Sequence, residues 1–325
     1  MSSPGLPPDR GNAAPEQPPA PQGSSHHNPG LGLALLATGY VIMSITDGVA
    51  KLLTAEIPPG EIAWARYFFA SVLAIPVVIA FTGWRSLVPD RIFANLFRGV
   101  LIGSGSAMTF IALQKIPLAD AAAIFFIQPF ILTILSVIFE HEKVGWRRWS
   151  AIVIGFAGAL LVIQPSFAEF GFYALLQAAS AACFAGFMLL NRRLRDTGPP
   201  LSLQAFSSLA GACVLTLMLV AGSVTEMPAF TFVMPTATQW AILAAFGGAA
   251  AVGHSLMVIA FRYATPAVIA PTAYIQIISA TVFGYVVFGD FPNLMKWTGI
   301  AIVVACGIYV FRRETRVKRD ASAPK

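Results

Sequence analysis

Several side chains capable of binding or proton chemistry stand inside stretches that are otherwise apolar: Asp47, Lys51, Arg66, Gln128, His254 and Gln276. Asp47 and Lys51 are four residues apart, so a helix carries them on one face. Arg66 opens the next apolar run and falls at a similar depth. An ionisable group inside a membrane costs about 2.5–3.5 kcal/mol on insertion scales, so each must face a partner or a polar cavity. One reading has Arg66 or Lys51 attracting an anionic ligand group while Asp47 balances them and takes a proton. The other has an Asp47–Arg66 pair fixing the packing while Lys51 snorkels to the interface. Gln128 and Gln276 present neutral donors and acceptors, suited to amides, carboxylates or ring edges, or to interhelical hydrogen bonds. His254 protonates near neutral pH and is a relay candidate, or else it bonds a neighbour. Tyr40, Trp64 and Tyr274, with Phe125 and Phe126, offer aromatic surface to a planar ligand. Pro129 and Pro271 each free a backbone carbonyl within a helix, for a kink or for a ligand.

Other chemistries find little support. There is no HExxH zinc motif and no GxxxxGK[ST] phosphate loop. Gly103-Ser104-Gly105-Ser106 with His254 offers the elements of an intramembrane hydrolase, the rival class, but the GxSxG nucleophile spacing is absent. Cys183, Cys213 and Cys306 lie in apolar runs and read as small buried residues, with no disulfide framework or metal spacing. No metal, cofactor or nucleic-acid partner is expected. His26–His27, in a polar tail without further ligands, reads as a solvated pair.

The elements that must position these residues follow from composition. The chain is 57% hydrophobic and 11% charged, with a mean hydropathy of +0.72; a soluble globular protein is about a quarter charged. An integral membrane protein in contact with the lipid bilayer is implied. Residues 1–30 hold eight of the 23 prolines and read as a disordered tail. Ten spans follow, at roughly 31–53, 61–82, 97–114, 118–139, 147–164, 170–190, 201–222, 238–261, 265–288 and 294–311, before a basic tail at 312–325. All are helical, because lipid cannot satisfy an open strand. With the N-terminus inside, seventeen Lys and Arg fall on cytoplasmic segments and only Lys115 and Lys296 on outer loops. The positive-inside rule therefore puts both termini in the cytoplasm, and the net charge of +6 reflects basic loops.

A repeat divides the chain. Residues 118–140 recur as 266–288 at an offset of 148, which aligns Gln128 with Gln276, and the flanks agree, with Ala112 opposite Ala260, Thr133 opposite Thr281 and Trp149 opposite Trp297. Because five is odd, two five-helix halves enter the membrane with opposite orientation. Such an inverted repeat places its site near the midplane between the halves. Small residues, among them Gly103, Gly105, Gly155, Gly158, Gly247 and Gly248, let the helices approach and slide.

These residues resemble the EamA-type transporters of the drug/metabolite transporter superfamily. The likeness rests on Ala63-Trp64-Ala65-Arg66-Tyr67-Phe68-Phe69, on Ala112 to Ala121 (ALQKIPLADA), on Gln128-Pro129 leading to Glu140, on Gly155 and Gly158, and on Thr265-Pro266-Ala267. It covers about residues 31–313, as repeats at 31–164 and 170–311. The second copy departs at Ile277, which replaces the proline, and at Phe288, which stands opposite Glu140. The resemblance implies an all-α protein of ten transmembrane helices in a bacterial-type inner membrane. It implies a secondary active transporter, not an enzyme, moving a small organic metabolite such as an amino acid, organic acid or vitamin by alternating access. Riboflavin uptake is the runner-up. The expected binding set is Tyr40, Asp47, Lys51, Trp64, Arg66, Gln128, Tyr274 and Gln276, with Asp47 and His254 as proton-coupling candidates. The expected assembly is a monomer or weak homodimer.

Overall fold

A computed structural model describes residues 29–141, 146, 149–150, 153–158, 161, 170–263, 275–290 and 292–322. Helix α1 (Pro29–Leu53) is followed by α2 (Pro59–Thr82), α3 (Ile92–Leu113), α4 (Leu118–Phe125) and α5 (Gln128–Glu140). The second half contributes α6 (Phe172–Arg193), α7 (Pro200–Val224), α8 (Ala237–Tyr263), α9 (Ile275–Phe288) and α10 (Leu294–Ser322). Among the described residues, seven stretches are long and apolar enough to cross a bilayer, the α4–α5 stretch counting as one. Ile275–Phe288 and Leu294–Cys306 are shorter apolar helices. Half of the expected span at 147–164, and the start of that at 265–288, lie outside the described residues. Helix α10 runs on through the basic segment to Ser322.

Helix starts use the residues best suited to them. Pro59 and Pro200 occupy the first turns of α2 and α7, where a missing N–H costs nothing. Gly83, at φ 83°, stops α2, a conformation that suits glycine because it has no Cβ.

The stretch 118–139, expected as one helix, is two. Phe126 N–H donates to Ala123 O at 3.2 Å and Ile127 N–H to Ile124 O at 3.1 Å, tightening the chain into a turn. Pro129 has no N–H for the carbonyl of Phe125 four residues back, so the ladder breaks there and α5 restarts at Gln128.

Packing pairs the two halves. α1 lies on α8 and α3 on α6; α1 meets α9 and α5 meets α6; α2 meets α8 and α3 meets α7; and α2 packs on α7. Exchanging each first-half helix for its second-half counterpart converts every pair in this set into another, or into itself. Glycines allow the close approaches. A Cβ on Gly99 would strike Ala210 of α7, and one on Gly247, 148 residues later, would strike Phe69 and the carbonyls of Ala65 and Arg66 in α2. Gly105 sits against Cys183 and Phe184 of α6, and Gly253, at the same offset, against Met43 and Ile42 of α1. Outward faces carry bare apolar side chains, such as Phe81 at 82% and Phe93 at 88% exposed. Lipid accommodates such a surface and water does not.

Candidate functional site

A cavity of about 190 Å³ lies between the two halves, walled by α1, α3 to α6, α8 and α9 with Arg66 of α2. It gathers six of the nine expected binding and proton-coupling residues, Tyr40, Asp47, Arg66, Gln128, His254 and Gln276, together with Phe125, Phe126 and Pro129. Arg66 Nη1 donates to Asp47 Oδ1 at 3.2 Å, joining α2 to α1. Arg66 is 6% exposed, and its guanidinium lies 5.6 Å from the Phe110 ring centroid and 5.9 Å from that of Phe246. Its Nη2 contacts Met43 Sδ at 3.9 Å, and its Nε has no hydrogen-bond partner among the described residues.

Gln128 reaches the cavity because the chain breaks just before it. Gln276 is brought there by a polar seam between α1 and α9. Ser44 Oγ donates to the Gln276 carbonyl at 3.2 Å, and Ser279 Oγ donates to Ser44 Oγ at 2.7 Å. His254 Nδ1 lies 3.0 Å from the carbonyl of Ala250, one turn back in its own helix. A carbonyl only accepts, so Nδ1 carries the proton in this bond and Nε2 is left as an acceptor.

Other expected binding residues have different surroundings. Lys51 donates to Asp290 Oδ2 and to Ile116 O, each at 3.1 Å, and lies over the Phe288 ring, away from the cavity wall. Trp64 Nε1 donates to Thr216 Oγ1 at 2.9 Å while its ring stacks on Phe68 at 4.7 Å and meets Trp240 edge-on. That aromatic cluster ties α2 to α7 and α8. Tyr274 and Pro271 lie outside the described residues, as do Glu142, Lys143, Arg147 and Arg148. Glu140 pairs with Arg192 and Arg193 at the C-terminal end of α6.

The cavity also holds a residue the sequence reading passed over. Gln177 of α6 is 2% exposed and lines the wall; its Nε2 donates to Ala121 O at 2.9 Å, and its Oε1 has no hydrogen-bond partner among the described residues. The signal was present, since Gln177 is the one amide in the apolar body of α6. Aligning Ala34-Leu35-Leu36 with Ala174-Leu175-Leu176 sets Ala37 opposite it, however, so a search for paired polar positions misses it. Lys296, read as an outer-loop cation, is instead buried, and its ammonium pairs with the Asp120 carboxylate in the first turn of α4. Asn293 caps α10, its Oδ1 accepting from Lys296 N–H at 2.9 Å, so Lys296 sits in the first turn of that helix.

A second cavity, of about 350 Å³, opens between α2, α7 and α8. Arg66 and His254 line both cavities. The rest of its wall is mostly apolar, with Gln204, Ser208 and Ser255 as polar exceptions.

The profile of the EamA-like transporter family matches residues 30–164 and again 171–312. Over 288 residues the chain is 25% identical to an S-adenosylmethionine uptake transporter of Rickettsia bellii, covering 88% of this chain and 95% of that one. It is 26% identical over 265 residues to a riboflavin transporter of Brucella anthropi, covering 82% and 92%. A pseudopaline exporter of Pseudomonas aeruginosa is 27% identical over 280 residues, covering 85% and 94%. A solved crystal structure superposes with a TM-score of 0.59 at 19% identity over 90% of this chain and 99% of that chain, and so shares the fold.

Proposed function

Because the chain belongs to the EamA-like transporter family, an integral membrane family of transporters rather than enzymes, we propose that it is a secondary active transporter. It moves a small organic metabolite across a bacterial inner membrane by alternating access. The observation that carries this reading is the meeting of Gln128 and Gln276, equivalent residues of the two copies, on the wall of one cavity between the halves. A rocking motion of one half against the other alternately opens such a site to either side. The exchange of packing pairs supports ten helices in two inverted repeats, and the distribution of basic residues supports cytoplasmic termini.

In this reading Tyr40, Arg66, Gln128 and Gln276 contact substrate, and Asp47 or His254 exchanges a proton. Lys51, Asp290, Asp120 and Lys296 close one end of the bundle, and Glu140 with Arg192 and Arg193 closes the other. The closures use equivalent places, the C-terminal ends of α1 and α6 against the ends of α9 and α5. Riboflavin uptake is a second reading. It is favoured by the aromatic side of the cavity, where Phe125 meets Phe184 edge-on at 5.2 Å beside Phe126 and Tyr40, and by the named activity of the Brucella relative.

Flux into proteoliposomes tests the proposal. The purified protein is expected to accelerate uptake of radiolabelled riboflavin, S-adenosylmethionine, an amino acid or an organic acid, with counterflow when the vesicles are preloaded. A reconstituted, folded protein that carries none of these classes in either direction overturns it.

A further inference from the structure

The contact between α2 and α7 is fastened at both of its ends. At one, the connection after α2 (residues 83–91) reaches the start of α7. Ser202 Oγ donates to Ser86 Oγ at 3.2 Å, and Asp90 N–H donates to Thr197 O at 2.9 Å. At the other, the connection after α7 (residues 225–236) reaches the start of α2. Val233 N–H donates to the buried Glu61 at Oε2, 3.0 Å away. Phe230 is buried against Gly60 and Gly222, where a Cβ on either would strike it. Each fastening uses the third residue of a helix that proline opens: Glu61 after Pro59, and Ser202 after Pro200. They are one contact made twice, with the two halves exchanged. Midway between them Trp64 Nε1 donates to Thr216 Oγ1 at 2.9 Å.

The walls of the central cavity are held differently. α1 and α9 are ion-paired at one end of the bundle through Lys51 and Asp290, and α5 and α6 at the other through Glu140, Arg192 and Arg193. The α4–α5 wall is already broken between Phe125 and Gln128. Among the described residues, α7 lines no part of this cavity and α2 only through Arg66. A joint pinned at one end opens at the other by tilting, whereas a joint pinned at both ends tilts only by breaking a pin.

Resting on the transport reading above, we propose that α2, α7 and the two straps that clasp them form a fixed frame. Access is switched by α1, α4 with α5, α6 and α9 moving against it. Rocking is thereby confined to the cavity walls, because each strap ties one half of the chain to the other.

The test uses the intact protein with Cys183, Cys213 and Cys306 replaced. Spin labels take the place of exposed, outward-facing side chains. Phe81→Cys with Val224→Cys spans the frame from end to end. Val224→Cys with Val286→Cys, and Phe81→Cys with Phe139→Cys, measure from frame to wall. Pulsed electron resonance compares each distance between Asp290→Asn and Glu140→Gln, which release opposite ends. The frame distance should hold within about 2 Å while at least one frame-to-wall distance changes by more. A frame distance that shifts as far as the wall distances, or no shift in any pair, overturns the proposal.

Flux supplies the second arm. Ser86→Cys with Ser202→Cys is oxidised to a disulfide across one strap. In proteoliposomes given whichever radiolabelled probe named above the reduced variant carries, uptake and counterflow should stay at the reduced level. A loss on oxidation that reduction restores overturns the proposal. A folded protein that carries no probe even when reduced counts against the transport reading instead, while the distances still decide whether the frame is fixed.

Discussion

Asp47 Oδ1 and Arg66 Nη1 meet at 3.2 Å in the wall of the central cavity, so the two charges most exposed to a substrate are also one another's partners. The pair ties α1 to α2 and stands beside His254, which lines the same wall. Any ligand that engages Arg66, and any proton that reaches Asp47, acts on this contact.

Breaking the pair from one side is therefore expected to be costly. Asp47→Asn leaves a buried guanidinium uncompensated, a change worth about 3–5 kcal/mol where such pairs are fully buried. Thermal melts in detergent should show a lower midpoint for Asp47→Asn than for the double change Asp47→Asn with Arg66→Gln. If Asp47 also carries the coupled proton, uptake driven by a pH gradient is lost in Asp47→Asn while counterflow persists. Loss of both in a folded protein limits Asp47 to structure or binding.

Gln128→Ala and Gln276→Ala each remove side-chain hydrogen-bonding groups from the cavity wall without touching the ion pairs. Each is expected to weaken substrate binding by about tenfold, the scale of one lost hydrogen bond. Trp64→Phe, which removes the bond to Thr216 outside the cavity, should leave affinity unchanged. Dissociation constants for the three variants check this. Equal losses in all three would place the site elsewhere.

The two end closures should act in opposite directions. Asp290→Asn frees Lys51, and Glu140→Gln frees Arg192 and Arg193 at the other end. With Cys183, Cys213 and Cys306 replaced, Ala122→Cys in the cavity wall reports access. Membrane-impermeant thiol reagents should label it faster from one side in Asp290→Asn and from the other in Glu140→Gln. Labelling that changes on the same side in both variants contradicts the assignment.

Backbone contacts make a fourth expectation. Gly99→Ala and Gly247→Ala push a methyl group into Ala210 and into Phe69 with the α2 carbonyls, respectively. Overpacking of this kind costs about 1–3 kcal/mol, and both variants should melt lower than wild type. Gly248→Ala, which meets only the far end of Leu73, should melt close to it.

Much of this was legible in the chain itself. The run of apolar segments required membrane helices, because hydrocarbon offers the backbone no other partner. The 148-residue echo singled out Gln128 and Gln276, and both line one cavity. The cost of charge in lipid marked Asp47 and Arg66 as partners or cavity residues, and they are both.

Lys51 shows where that reasoning ended. Spacing put it on the face of Asp47, yet Asp290, 239 residues away in sequence, holds it. Gln177 escaped for a related reason: a repeat reveals positions that recur, and a residue used by one half alone carries no such mark. Lys296 was counted with the outer loops because it stands at the edge of its expected span, but it lies in the first turn of α10 and its ammonium meets Asp120, 176 residues away in sequence.

The sequence by itself thus determined the solvent, the helices and the two-copy plan, since hydropathy, period and repeat are properties of the chain read along its length. The tertiary structure alone decided which charges neutralise one another and which polar side chains line the cavity. Those depend on distances between helices far apart in sequence, where a few ångströms separate a closed ion pair from a binding group.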